Sequence, residues 1–114
     1  MREFTKSEKR KLRSLAQEAY SRELDAALRD LDSGFSDWRQ KHINSFQLSD
    51  LIHEFHQGPS RALFSDYTRL DPGMLVARAL ARGILEEHEV PEALLKELTS
   101  LVAYFRDSYE GQDE

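Results

Sequence analysis

Apolar residues recur every three to four positions along most of this 114-residue chain. This spacing places them on one face of an α-helix, and no segment shows the sustained alternation with β-branched residues that is typical of a strand. The pattern predicts an all-α, single-domain bundle of five to six helices over residues 1–114, with short connections. We expect frayed ends at residues 1–4 and 110–114.

The first predicted helix is unusually long. Thr5 and Glu8 have the spacing of a capping box, in which each side chain bonds the backbone amide of the other residue. One apolar stripe then runs from Leu12 to Leu31, and Gly34 is placed to end the helix in the left-handed conformation. A helix with these ends has about 27 residues, well above the average of about 11–12.

The sequence predicts a break between two helices at Gly58-Pro59. Asn44 and Gln47 form a second capping-box pattern, and the helix that they begin stops at Gly58. Pro59 then opens the next helix, because the amide hydrogen that proline lacks has no partner at that position anyway. Residues 35–44 have a weaker pattern that leaves room for one further short helix.

Two further helices are predicted in the last third of the chain. Asp71-Pro72 combines an acidic N-cap with proline in the first turn, and the apolar residues after it cover most of the helix circumference. Such a helix is buried on most sides, and Gly83 inside it indicates close packing. Val90-Pro91 opens the last helix. On the helix that begins at Asp71-Pro72, the pattern also predicts one polar line, which consists of Arg78, Arg82 and Glu86.

Composition favours a soluble globular protein, with 39% hydrophobic and 32% charged residues. The chain has no cysteine, which excludes disulfides, thiolate metal sites and cysteine nucleophiles and is consistent with a reducing compartment. No apolar run approaches the roughly 20 residues that span a bilayer, and the N-terminus has no apolar signal segment. We therefore expect a cytoplasmic protein without membrane contact.

The net charge of −5 disfavours general affinity for nucleic acid, but the charge is uneven. Six basic residues lie within residues 1–13, and nine acidic residues lie within 86–114. One interpretation is solvated surface, or attraction between two helices of opposite charge. The alternative is a nucleic-acid contact through one stripe of the first helix. That stripe consists of Lys6, Lys9, Arg10 and Arg13.

Two histidines invite comparison with zinc proteases, and the comparison fails. The protease motif places histidines four residues apart, whereas His53 and His56 are three apart. Asp50 and His53 give a single Asp-x-x-His, and no second helix supplies a matching motif for a two-metal site. We expect no metal and no other cofactor.

The Gly58-Pro59 turn is the best candidate for a small-ligand site. If Pro59 opens a helix, the amides of Ser60 and Arg61 lack intrahelical acceptors, and the helix dipole adds positive charge. The Ser60 hydroxyl, the Arg61 guanidinium and nearby His56 and His53 then favour a phosphate or a carboxylate. The alternative is that solvent satisfies the amides and Arg61 pairs with an acidic neighbour.

No catalytic motif is present, so no catalytic residue is predicted and an enzymatic role is disfavoured. The leading hypothesis is a non-enzymatic protein-interaction or regulatory module. Its partner is another protein or a second copy of the chain, and its predicted surface is the stripe Leu94, Leu98, Leu101 and Phe105. An anion-binding protein or enzyme centred on His53–Arg61 is the rival. The aromatic residues of the middle third are predicted to be core: Phe35, Trp38, Phe46, Phe55, Phe64 and Tyr67.

Overall fold

The structure, a computed structural model, describes residues 3–112. It is 84% helical, and no strand occurs among the described residues, so the all-α class is confirmed. Five α-helical segments are present, joined by a π-helical turn at His56–Ser60 and a 3-10 turn at Glu87–Glu89. The segments are α1 (Lys6–Arg39), α2 (Ser45–Phe55), α3 (Arg61–Arg69), α4 (Pro72–Ala81) and α5 (Glu92–Gln112).

Within residues 3–112 these segments form four helices rather than the five to six predicted. The reason is that α2, the π-helical turn and α3 follow one another without a break, and Pro59 lies inside the turn. Proline in a regular α-helix clashes with the carbonyl four residues before it, and the wider π turn accommodates the ring. The predicted helix start at Pro59 is therefore wrong.

Helix α1 is the long N-terminal helix that the sequence predicted, and it is longer than expected. Its start is confirmed: the Glu8 amide donates to Thr5 Oγ1 at 3.1 Å, and the Thr5 amide donates to Glu8 Oε1 at 2.9 Å. The helix passes through Gly34 and ends at Arg39, so the predicted end was wrong. The left-handed conformation is instead taken by Lys41, with φ of 64°, in the turn that follows.

Helix α4 ends earlier than predicted, and its glycine has a different role. Gly83 has φ of +76° and lies beyond the last helical residue, where its amide bonds the Leu80 carbonyl at 3.3 Å. The Ile84 amide bonds the Ala79 carbonyl at 2.9 Å, which completes a Schellman motif. Nothing lies within 4 Å of a Cβ built on Gly83, so the predicted close packing is wrong.

Other predicted helix starts are confirmed. The Gln47 amide donates to Asn44 Oδ1 at 2.8 Å, and the Asn44 amide donates to Gln47 Oε1 at 2.9 Å. Asp71 accepts from the Met74 amide at 2.9 Å. Helix α5 continues through Gln112, and residues 1–2 and 113–114 lie outside the described part, so the fraying predicted at 1–4 and 110–114 stays a prediction.

The chain divides into two compact units, of which the first comprises Met1–Tyr20 and Leu70–Glu114. This unit contains thirteen of the fourteen buried hydrophobic residues among those described. Helix α4 is buried on most sides, as predicted, although the predicted polar line is interrupted because Arg78 is only 6% exposed and has partners of its own. Phe4 is half-buried, and its ring reaches within 3.9 Å of a Cβ built on Gly73.

The second unit, Ser21–Arg69, is a hairpin of two antiparallel helical segments. One is the second half of α1, and the other is the continuous run from α2 to α3. Leu48 is the one hydrophobic residue that is fully buried among the described residues of this unit. The single-domain prediction for residues 1–114 stays a prediction.

Candidate interaction face of the helical hairpin

Two contacts show which sides of the hairpin helices touch. The Tyr67 hydroxyl donates a hydrogen bond of 2.6 Å to Glu23 Oε2. Toward the other end, a Cβ built on Gly34 would lie 2.7 Å from Leu51 Cδ1, so the two helices approach closely there. Glu23 and Gly34 lie about three helical turns apart and therefore share one side of α1. The α2–α3 run packs along this side, which we call the contact line.

The large apolar residues in the second half of α1 point away from the contact line. At about 100° per residue, they lie some 50–130° around the helix from it: Leu24, Leu28, Leu31, Phe35 and Trp38. On the other segment, Ile52 and Phe64 are rotated by about 60–70° from the residues that contact α1. Because the segments are antiparallel, these rotations bring both stripes to the same side of the hairpin. We call this side the open face: Leu24, Leu28, Leu31, Phe35, Trp38, Ile52 and Phe64.

The open face consists of apolar side chains, and several of them are exposed to solvent. Leu28 is 43% exposed, Trp38 41%, Ile52 40% and Phe64 61%, and the other three residues are half-buried. Six of the seven large exposed hydrophobic residues among those described belong to the hairpin. A contiguous apolar surface of this kind is typical of a binding surface. The expectation that Trp38, Phe46 and Phe64 are core residues is therefore wrong.

The π-helical turn places Phe64 on this face. In an uninterrupted α-helix, Ile52 and Phe64 would lie about 120° apart, because twelve residues exceed three full turns. A π turn inserts about one residue and so removes about 100° of this rotation. Both side chains then lie on the same side of the α2–α3 run. The Gly58-Pro59 pair, which the sequence marks as a helix break, thus sets the rotation of α3 relative to α2.

The predicted anion site depended on a helix start at Pro59, which is wrong, and anion binding there stays a prediction. Arg61 follows a continuous helical turn, and its amide donates to the Gly58 carbonyl, so no helix begins at Pro59. No hydrogen bond or ion pair links the side chains of His53, His56, Ser60 and Arg61 within the described part of the chain. The two histidines and Arg61 are exposed, and Ser60 is half-buried.

No metal centre is evident either. Among residues 3–112, no group of three or more histidine, cysteine, aspartate or glutamate side chains is placed to hold a metal ion. His53 and His56 are both exposed, as is Asp50. The expectation that the chain needs no metal stays a prediction.

The predicted interaction stripe on α5 is divided between core and surface. Leu94 and Leu98 are at most 1% exposed, so both belong to the core of the first unit. Leu101 and Phe105 are half-buried, and the Phe105 ring makes an edge contact with Tyr104 at a centroid distance of 5.3 Å. As a whole the stripe is unavailable to a partner, because its first half is already used in folding.

The basic stripe of α1 lies at the surface. Its members, Lys6, Lys9, Arg10 and Arg13, are all exposed and occupy the first two turns of the helix. Exposed cations of this kind are an ordinary solvated helix surface. Nothing in their arrangement adds to the nucleic-acid hypothesis beyond their charge.

The hairpin also has an open cavity of about 940 Å³ at the turn between α1 and α2. Its lining includes Trp38, Lys41 and His42, and the His42 ring lies 3.6 Å from an Asp37 carboxylate oxygen. These groups are exposed and face solvent, so they form no enclosed site for a small ligand.

The sequence pattern placed most residues of the open face on apolar helix stripes, but it did not predict that these stripes form one exposed surface. Leu28, Trp38 and Phe64 have ordinary core spacing, and a helical repeat predicts which side is apolar, not whether another helix covers it. Only the number of helical segments in the hairpin could have indicated that its apolar stripe is uncovered. Once α2 and α3 join, the hairpin has only two segments, too few to enclose an apolar stripe.

Among the described residues, no helix has both the length and the apolar character needed to cross a membrane. Comparisons with known protein families, with curated proteins and with solved structures find no match to this chain, so any function must be argued from its own residues.

Proposed function

We propose that this chain is a non-enzymatic protein-interaction module that binds its partner through the open face of the hairpin. The two units differ in how many of their hydrophobic residues are buried, and this difference supports the proposal. Nearly all of the fully buried hydrophobic residues lie in the first unit, and nearly all of the large exposed ones lie in the hairpin. The first unit supplies a stable core, and the hairpin presents a surface that remains to be covered.

The chemistry of the open face defines the kind of partner. Its seven residues are all apolar and contain no charged group, so the matching surface is apolar and helical rather than a charged ligand or a nucleic acid. Trp38, Phe35 and Phe64 supply aromatic side chains, which are enriched in the buried centres of protein interfaces. The partner surface therefore presents an apolar stripe along about 28 Å, the length of the α1 part of the hairpin at 1.5 Å per residue.

Site-specific photocrosslinking tests this proposal. A photoreactive phenylalanine analogue replaces Ile52 or Phe64 in cells that express the chain. Phe46 is the matched control, because it is 82% exposed and lies on the side of α2 away from the open face. We expect ultraviolet light to yield a defined protein adduct from positions 52 and 64 and none from 46. Equal labelling at all three positions, or none at any, would contradict an interaction role.

A further inference from the structure

We infer that the partner of the open face is a second copy of this chain, and that two hairpins pack into a four-helix bundle across a two-fold axis parallel to the helices. This inference rests on the proposed function and names its partner. A helical hairpin cannot enclose an apolar stripe by itself, and a second hairpin supplies two further helices of the same lengths. A second copy is also the one partner that is present whenever the chain is folded.

The area of the open face fits such a pair. The exposed parts of Leu28, Trp38, Ile52 and Phe64 together amount to on the order of 400 Å² of apolar surface. A standard interface buries about 800 Å² per partner, and about 65% of a homodimer interface is apolar, which gives about 500 Å². The half-buried Leu24, Leu31 and Phe35 supply the remainder.

Charge permits a second copy and favours one orientation of it. The hairpin contains six lysine or arginine and eight aspartate or glutamate residues, a formal charge of −2, so two copies repel only weakly. Its two edges differ in local charge. Asp25 and Asp32 lie beside Leu28 on the outer side of α1, which also holds Arg29 and Arg39, and Arg61 lies beside Phe64 on the outer side of the other segment.

These edges meet only in one of the two symmetric arrangements. With the axis parallel to the helices, α1 of one copy lies beside the α2–α3 run of the other, and Asp25 and Asp32 of one copy face the edge that holds Arg61 of the other. With the axis perpendicular to the helices, each edge meets the same edge of the second copy, and Asp25 and Asp32 face an edge that also holds aspartates. In the parallel arrangement, Arg61 lies about 9 Å along the helix from Tyr67, and Asp25 and Asp32 lie about 3 Å and 14 Å from the level of Glu23. Arg61 therefore falls between the two aspartates of the second copy.

Sedimentation equilibrium of the full chain tests the pairing. We expect a mass of twice 13.2 kDa at high micromolar concentration. Phe64→Glu should raise the dimer dissociation constant at least tenfold, because the pair then has to bury two carboxylates. Phe46→Glu, on the outer side of the same helical run, should leave the constant within about twofold. A monomeric parent chain would overturn the inference, as would equal effects of the two substitutions.

Crosslinking of single-cysteine variants tests the orientation, and the absence of natural cysteines makes the result unambiguous. Asp25→Cys and Arg61→Cys are mixed and treated with a short bis-maleimide linker. A mixed dimer containing one copy of each variant is expected, with little product from either variant alone. Dimers of Asp25→Cys with itself, or no product in any mixture, would overturn the parallel axis.

The experiments distinguish self-association from binding to another protein. A monomeric chain that still gives an adduct of another mass from positions 52 and 64 overturns self-association and leaves the interaction role in place. A monomeric chain without any adduct overturns both.

Discussion

Two glycines show how a residue's surroundings decide its role. By sequence, Gly34 was predicted to take the left-handed conformation and Gly83 to allow close packing, and the structure reverses the two roles. Gly34 lies inside α1, where a Cβ would be 2.7 Å from Leu51 Cδ1, and Gly83 has φ of +76°. Both glycines follow an apolar stripe, so local sequence does not distinguish a helix that ends from one that continues.

Alanine substitutions at these glycines should therefore differ. Gly83→Ala should lower the free energy of unfolding by about 1–2 kcal/mol, the cost of a left-handed L-residue. Gly34→Ala should change it by less than about 1 kcal/mol, because higher helix propensity offsets the displacement of Leu51. Leu51 is 36% exposed, so its tip has room to move. Urea unfolding measures both values, and a larger loss at Gly34 than at Gly83 would contradict the assigned roles.

The hydrogen bond between Tyr67 and Glu23 joins the two segments at the end of the hairpin opposite the turn between α1 and α2. It is short, at 2.6 Å, part-buried, and accepted by a carboxylate. Tyr67→Phe should reduce the protection of hairpin amides from hydrogen exchange by an amount equal to about 1–2 kcal/mol. Tyr104→Phe is the control, because Tyr104 is 63% exposed and belongs to the first unit. Equal effects at the two tyrosines would show that the bond is not structural.

Among the helices, starts with a side-chain cap were predictable, whereas the start expected at Pro59 and the helix ends were not. Thr5, Asn44 and Asp71 all cap helices as predicted, because a capping residue and its partner are close in sequence. The ends at Arg39 and Ala81 depend on packing and turn geometry that no local pattern encodes. The joined α2–α3 run was missed because Gly58-Pro59 normally breaks a helix, and a π turn avoids the clash that causes the break.

The π turn can be tested by removing one residue. Deleting Gly58 should convert it into a regular helical turn and rotate α3 by about 100°, which moves Phe64 away from the open face and Tyr67 away from Glu23. We expect unchanged helical circular dichroism with a lower melting temperature and weaker self-association. Gly58→Ala is the control, because nothing lies within 4 Å of the added Cβ. A deletion variant that associates like the parent would contradict this role for the turn.

At the scale of the whole molecule, apolar surface is unevenly distributed. The all-α class followed from the helical repeat, which depends on each residue's neighbours alone. The interaction surface did not, because the stripe Leu94, Leu98, Leu101 and Phe105 and the open face have the same helical spacing. Which stripe becomes core depends on the number of helices around it. Helix α4 covers Leu94 and Leu98, and no described segment fully covers Trp38 or Phe64.

The fluorescence of Trp38 tests whether a second copy covers the open face. It is the chain's one tryptophan, it lies on that face, and it is 41% exposed. As concentration rises and the mass doubles, its emission should shift to shorter wavelength and its quenching by acrylamide should fall, because the partner displaces water from the indole. The Phe64→Glu variant should keep the long-wavelength, quenchable emission at every concentration. If the emission is identical in the parent and the variant and independent of concentration, a second copy does not cover the open face.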